Sequence, residues 1–304
     1  PLCRSSYGQI DVKALSNDEA FLFTVAGSGA QTAAVAGNAA VVNVDNFTKA
    51  EARQVLRADI AVNIVASAKE DLTNVGLSAS GAGTAAIAAT GVVINLDYET
   101  YARIYDAADV RSYEVKLTAT TISKLNGFAI GAEGAGTAAV GGSLEVIVVS
   151  GSTKAVVGAF AKIRGVNTTA EEDDRAGEVF ILAYEEVDAL AVVATVGGAG
   201  RAAIELSVLV ASVNSTVSAV VENHVKILSK ENVSVKSDAR RNFEGFIFSI
   251  AGSGTASISA NIAVVSVGSK LNKDAYDAIY QKDGVSSGVD PVATTGYVES
   301  YAEF

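Results

Sequence analysis

The chain has 304 residues, 49% of them hydrophobic and 19% charged, with 28 Gly, two Pro and neither Met nor Trp. A formal net charge of −11 argues against a nucleic-acid partner and against attraction to an anionic membrane surface, since both rest on clustered Lys and Arg. The apolar content is mostly Ala and Val, which suits a thin, tightly pleated interior and not a wide core of large side chains.

The absence of Met leads to the expectation of a processed chain or a segment of a longer one. The single cysteine, Cys3, has no partner for an internal disulfide. No run of about 18 uninterrupted apolar residues marks a transmembrane helix.

In chain order, residues 1–9 read as a tail. Five repeats follow at 10–59, 60–112, 113–177, 178–231 and 232–283, and residues 284–304 read as a cap or as a strand exchanged with a neighbour. Each repeat opens on an alternating strand, such as 12–15 or 179–182. A second strand (Phe21, Phe23 and Val25; Phe246, Phe248 and Ile250) leads into a Gly-rich turn. A long Ala/Val strand comes next, then a further alternating strand, such as 153–157 or 217–221, and a short closing strand at 225–227. Period-two alternation broken by Gly, Asn, Asp and Ser is the signature of β structure.

The turn and its strand recur as AGSGAQTAAVAGNAAVVNV, SGAGTAAIAATGVVINL, EGAGTAAVGGSLEVIVV, GGAGRAAIELSVLVASV and AGSGTASISANIAVVSV. Thr32, Thr84, Thr137, Arg201 and Thr255 are equivalent, at intervals of 52, 53, 64 and 54 residues. The long interval carries a polar insertion at 165–177, and removing about ten residues there restores the period. Segments 49–58, 98–105 and 274–280 admit a helical reading, but their counterparts in the third and fourth repeats alternate, so strands are expected throughout.

These elements predict an all-β repeat protein, a parallel β-solenoid, with stacked antiparallel sandwiches or a barrel as the alternative. Five or six short strands per repeat suggest two three-sided turns of roughly 26 residues each, hence ten turns and a rod on the order of 50 Å long. The glycines are expected at positions of φ > 0 or of close backbone approach.

The recurring Gly-Ser-Gly or Gly-Ala-Gly turn, the Thr-Ala-Ala-Val/Ile that follows, and the Ala/Val strand closing near Asn43 or Asn95 resemble the passenger regions of large secreted bacterial adhesins. These are the filamentous-haemagglutinin and leukotoxin-like autotransporter adhesins. The resemblance spans residues 10 to 280 and implies a β-helical fold, export, and surface attachment or cell–cell contact. It brings no catalytic motif with it.

Residue types that carry chemistry are sparse. His224 is the only histidine, so a Ser-His-Asp set has one candidate, at a strand boundary; zinc would need ligands the chain lacks. The Gly turns lack a following Gly-Lys-Ser/Thr and lead into strands, unlike phosphate loops. The acidic run Glu171, Glu172, Asp173 and Asp174 is the calcium candidate, and Asp106, Asp109 and Arg111 are the cluster to test for polysaccharide chemistry. Sequons lie at Asn46, Asn167, Asn214 and Asn232.

The expectation is therefore a non-catalytic structural or adhesive protein, extracellular or at the cell surface, without cofactor. Its partners would be further copies of itself or neighbouring repeats through open β edges, or surface glycans and proteins, with no nucleic acid and no membrane insertion. A self-polymerising filament subunit, a viral fibre component and a polysaccharide-active enzyme are the alternatives.

Overall fold

A computed structural model describes residues 3–4, 8–166, 175–268 and 299–301. The described residues form sixteen strands and no helix. They are β1 (Cys3–Arg4), β2 (Gln9–Ala30), β3 (Ala33–Ala52), β4 (Val55–Arg57), β5 (Ala61–Ala82), β6 (Ala85–Ile104), β7 (Asp109–Arg111) and β8 (Glu114–Ala135). The second half holds β9 (Ala138–Val157), β10 (Lys162–Arg164), β11 (Glu178–Ala199), β12 (Ala202–Val221), β13 (Lys226–Ile227), β14 (Val233–Ser253), β15 (Ala256–Gly268) and β16 (Glu299–Tyr301).

Three parallel sheets result. The first long sheet runs β14-β11-β8-β5-β2, the second β15-β12-β9-β6-β3, and a short third sheet runs β1-β4-β7-β10-β13. Each of the first four repeats thus contributes one strand to each sheet, the fifth supplies β14 and β15, and residues 3–4 ahead of the first repeat supply β1. This is a parallel β-solenoid arrangement, and the antiparallel alternative does not occur among these sheets.

The solenoid differs from expectation in its turn. One rung takes a whole repeat of about 53 residues, not half of one: β5 has 22 residues and β6 has 20. The two strands expected within 10–30 are a single 22-residue strand, β2. Residues 16–19 (Ser-Asn-Asp-Glu) carry turn composition, yet Ser16 pairs with Ala68 and Asp18 with Glu70 in unbroken register. A polar stretch stays extended because each rung hands its backbone hydrogen bonds to the next, and its inward side chains meet polar partners from the opposite wall. At about 3.3 Å per residue and about 4.8 Å per rung, the five rungs make a blade roughly 70 Å wide and roughly 20 Å tall instead of a 50 Å rod.

The segments with a helical alternative resolve the same way. Residues 49–52 end β3 and Tyr98, Tyr101 and Ala102 lie in β6, while 274–280 lies outside the described residues. Parallel pairing with the alternating third and fourth repeats imposes one backbone on all.

A two-residue arc joins the first long strand to the second in each rung. The aligned residues stack there by backbone hydrogen bonds: Thr84 N–H donates to the Thr32 carbonyl, Thr137 to Thr84, Arg201 to Thr137 and Thr255 to Arg201, at 3.0–3.2 Å. Glycine is required at this arc by close approach and not by φ > 0. A Cβ on Gly83 would overlap the carbonyl oxygen of Gln31, one on Gly136 that of Gly83, and one on Gly200 that of Gly136. Positive φ falls instead at the far corner, on Ala107, Phe160 and His224.

Along each blade the interior alternates in character. Toward the third sheet lies an apolar cluster including Ile64, Ile104, Val110, Leu117, Ile163 and Ile181. Nearer the arc is a second, with Leu72, Ile94, Leu96, Leu125, Ile147 and Leu209. A hydrogen-bonded polar layer separates them. Asn46 and Ser123 both donate to Glu70 at 2.7 Å, and Thr121 bonds Thr100 and Thr153 at 2.8 and 2.7 Å. On the upper rungs, Tyr98 and Ser215 donate to Glu185, which also pairs with Arg241 at 3.0 Å.

Candidate interaction surfaces

In-register stacking converts each outward position into a column of five residues, so the sequence of one rung becomes the texture of a whole face. On the half of the blade away from the arc these columns are polar. Asn63 donates to Asp11, Asn95 to Asn43 and Ser150 to Asp97, rung to rung, at 2.6–3.0 Å. The column beginning at Glu19 continues through Asp71, Lys124, Asp188 and Asn242.

Toward the arc the outer faces turn apolar on both sides. On the first sheet one column reads Phe23, Val75, Phe128, Val192, Phe246, and the next reads Val25, Leu77, Ile130, Ala194, Phe248. On the second sheet one reads Val35, Ile87, Val140, Ile204, Ile258 and another is Val at all five rungs, from Val41 to Val264. Phe23 and Phe246 are 53% and 57% exposed and Val35 and Ile258 68% and 59%, so the faces are uncovered. No charged residue interrupts the columns from 23 to 29 or from 33 to 41 on any rung. These faces exceed the few hundred Å² of contiguous apolar surface usual on a monomer.

Inside the same half, carboxyl groups take the space of missing side chains. Glu145 lies over Gly127 and Glu205 over Gly197, where an added Cβ would collide with the carboxyl group in each case. Glu133 lies beside Glu205, across from Gly141. Apart from the Glu133–Glu205 contact itself and the Val192 backbone beside Glu145, their carboxyl oxygens meet no hydrogen-bond partner. Burial pushes the Glu145 carboxyl up to about 8, and burial with the adjacent Glu205 pushes Glu133 up to about 8; Glu205 is raised as well, chiefly by burial. Glu145, and the Glu133–Glu205 pair with the proton held between them, therefore favour the neutral acid where an exposed glutamate would be ionised. Their signal in the sequence is a glycine at inward parity on one long strand and a glutamate at inward parity on the other.

The residues singled out for chemistry are dispersed. Asp109 sits on the third sheet, held by Arg111 and Arg164 at 2.7 Å each, while Asp106 pairs with Arg103 at 2.9 Å. Burial raises the Asp109 carboxyl, but the hydrogen bonds from Arg164 and Arg111 outweigh it and leave it below the ordinary value. It is an ionised partner in an arginine ladder. His224 occupies the exposed far corner and stacks on Phe160 with ring centroids 4.9 Å apart. The calcium candidates Glu171, Glu172, Asp173 and Asp174 and the sequon at Asn167 lie outside the described residues; among the described residues no group of three or more potential ligands converges.

The sequon at Asn46 points inward, with Asn46 buried and bonded to Glu70, so the fold closes it to modification. Asn232 is exposed and Asn214 is half-buried, donating to Ser212.

The ends differ. On the first rung, Gln31 stands where later rungs have the arc glycine, so an in-register rung added beneath it would meet its Cβ as Gln31 would meet one on Gly83. On the last rung β15 is described as far as Gly268, and β16 pairs with β12 further along, at Ser218–Val220. No protein-family model, curated protein or solved structure matches this chain.

Proposed function

We propose that this chain is a non-catalytic structural or adhesive element of an extracellular or cell-surface assembly. The observation that carries the reading is the unbroken ladder: strands of 20–22 residues pair in register from rung to rung, each residue with its counterpart in the next repeat. Such a ladder resists mechanical load along the rung axis through many parallel hydrogen bonds, and it presents long flat faces suited to contact with macromolecules. Its resemblance to filamentous adhesin passengers, carried by the Gly-turn repeats, points to the same role.

Growth into a filament by end-to-end stacking is the weaker version, because Gln31 obstructs an in-register neighbour at the first rung. Gentle protease treatment of intact cells that make the protein tests the reading. Loss of the protein together with loss of attachment to surfaces or other cells supports it; full protection behind the membrane, or attachment unchanged after its removal, sinks it.

A further inference from the structure

Some outward glycines of the arc half have no reason within the chain itself. An added Cβ at Gly81, Gly134, Gly198 or Gly37 would meet nothing within 4 Å, and one at Gly142 only the Leu206 carbonyl oxygen at 3.9 Å. None of these glycines has positive φ. Glycine inside a strand weakens it, and where the fold does not need the missing side chain it marks the close approach of another surface. The glycines lie on the two uncovered apolar faces, not on the charged half.

The two faces fit one another. Down the first sheet the outward column from Val25 is Val, Leu77, Ile130, Ala194, Phe248; down the second the column from Gly37 is Gly, Ala89, Gly142, Leu206, Ala260. Size is inverse at every rung, and at the fourth, where the first column shrinks to Ala194, the second grows to Leu206. Laid together with rungs in step, each ridge residue of one blade enters a hole on the other. A strip of four columns and five rungs, at about 6.6 Å per column and about 4.8 Å per rung, spans about 26 Å by about 24 Å, or roughly 600 Å² per partner before side-chain relief is counted. That reaches the lower range of specific interfaces.

We infer that the outer face of the first sheet docks on the outer face of the second sheet of another copy of this chain, with Val25, Leu77, Ile130 and Phe248 seated over Gly37, Ala89, Gly142 and Ala260. The contact joins two different faces, so it leaves one of each free and builds an open-ended lateral stack, not a closed dimer. A lipid bilayer is the poorer occupant. Among the described residues the outermost strands β2, β3, β14 and β15 each carry an unpaired backbone edge, which hydrocarbon cannot satisfy, and fluid lipid needs no rung-by-rung fit. With a net charge of −11 per copy, salt strengthens the stack by screening repulsion. The inference extends the structural reading above and stands independently of where the protein resides.

Sedimentation velocity of the intact chain, over rising concentration and salt, tests it with three variants. Gly142→Leu fills a hole with no clash at its Cβ, so it retains the thermal midpoint and weakens association at least tenfold. Ile130→Ala removes the opposing ridge and also weakens it, and the double variant Ile130→Ala/Gly142→Leu recovers part of the loss. A wild-type chain that stays monomeric at all concentrations and salts overturns the inference. So does Gly142→Leu associating like wild type, which assigns self-association to the strand edges. Flotation with phosphatidylcholine vesicles, unchanged by Gly142→Leu and without self-association, overturns it in favour of lipid.

Discussion

The carbonyl oxygen of Gln31 occupies the place where a side chain on Gly83 would begin. The same relationship recurs between Gly83 and Gly136 and between Gly136 and Gly200, so a single column of glycines sets how closely the rungs stack at the arc. Gly83→Val and Gly136→Val should therefore lower stability by about 2–3 kcal/mol each, as overpacking against backbone that cannot yield. Gly81→Ala, which meets nothing, should stay within about 0.5 kcal/mol of wild type. Urea unfolding of the three variants checks the contrast; equal loss in all three would refute the arc assignment.

Gln31 predicts an asymmetry between the ends. Replacing it with glycine opens the first rung to an in-register neighbour, so Gln31→Gly should form longer end-to-end assemblies than wild type, seen as elongated particles by negative-stain microscopy. Unaltered particle length in the variant would mean that Gln31 is not what guards this edge.

Glu133, Glu145 and Glu205 make stability depend on pH in an unusual sense. Their folded-state affinities for a proton are raised, so the folded chain holds protons that the unfolded chain releases near the ordinary value of 4.5. The stabilising contribution of Glu133 and Glu145 is complete below about 4.5 and is lost as pH rises toward about 8, and Glu205 acts in the same direction. Glu145→Gln should raise the thermal midpoint at pH 8 by roughly 5 °C and leave it unchanged at pH 4. Calorimetry at the two pH values decides, and equal shifts at both would dismiss the buried acid.

The Glu185–Arg241 pair behaves oppositely to these acids, which have no cation beside them. Both side chains are buried, and the carboxylate also accepts from Tyr98 and Ser215. Removing only the cation, as in Arg241→Met, leaves a buried charge and should cost about 3–5 kcal/mol. Adding Glu185→Gln should restore a large part of it. A double variant no better than Arg241→Met would show that the arginine acts through packing alone.

Much of the architecture was legible in the repeats. Equivalence of Thr32, Thr84, Thr137, Arg201 and Thr255 requires those residues to share one environment, and parallel stacking is the arrangement that supplies it. The number of turns per repeat was not legible. Residues 16–19 carry the composition of a loop, and only the opposing wall, where Asn46 reaches Glu70 and Thr100 reaches Thr121, gives a polar stretch reason to remain extended. Expecting a turn there halves the rung and makes a wide blade read as a thin rod.

The interaction surfaces divide along the same line. Alternation within each strand determined that Phe23, Val35 and their counterparts share one side of the chain, and composition determined that this side carries no charge. Parity alone does not say which side is inward, because both sides of these strands are largely apolar or small. The tertiary structure decided it: the arc brings the two walls close enough that mostly Ser, Thr, Ala, Gly, the asparagine Asn38 bonded to two strands of the opposite wall and glutamates folded over glycines fit between them. Larger side chains are left outside, where another surface must cover them. Sequence periodicity records a chain's own pleat, whereas the space available inside depends on the approach of a wall some tens of residues away.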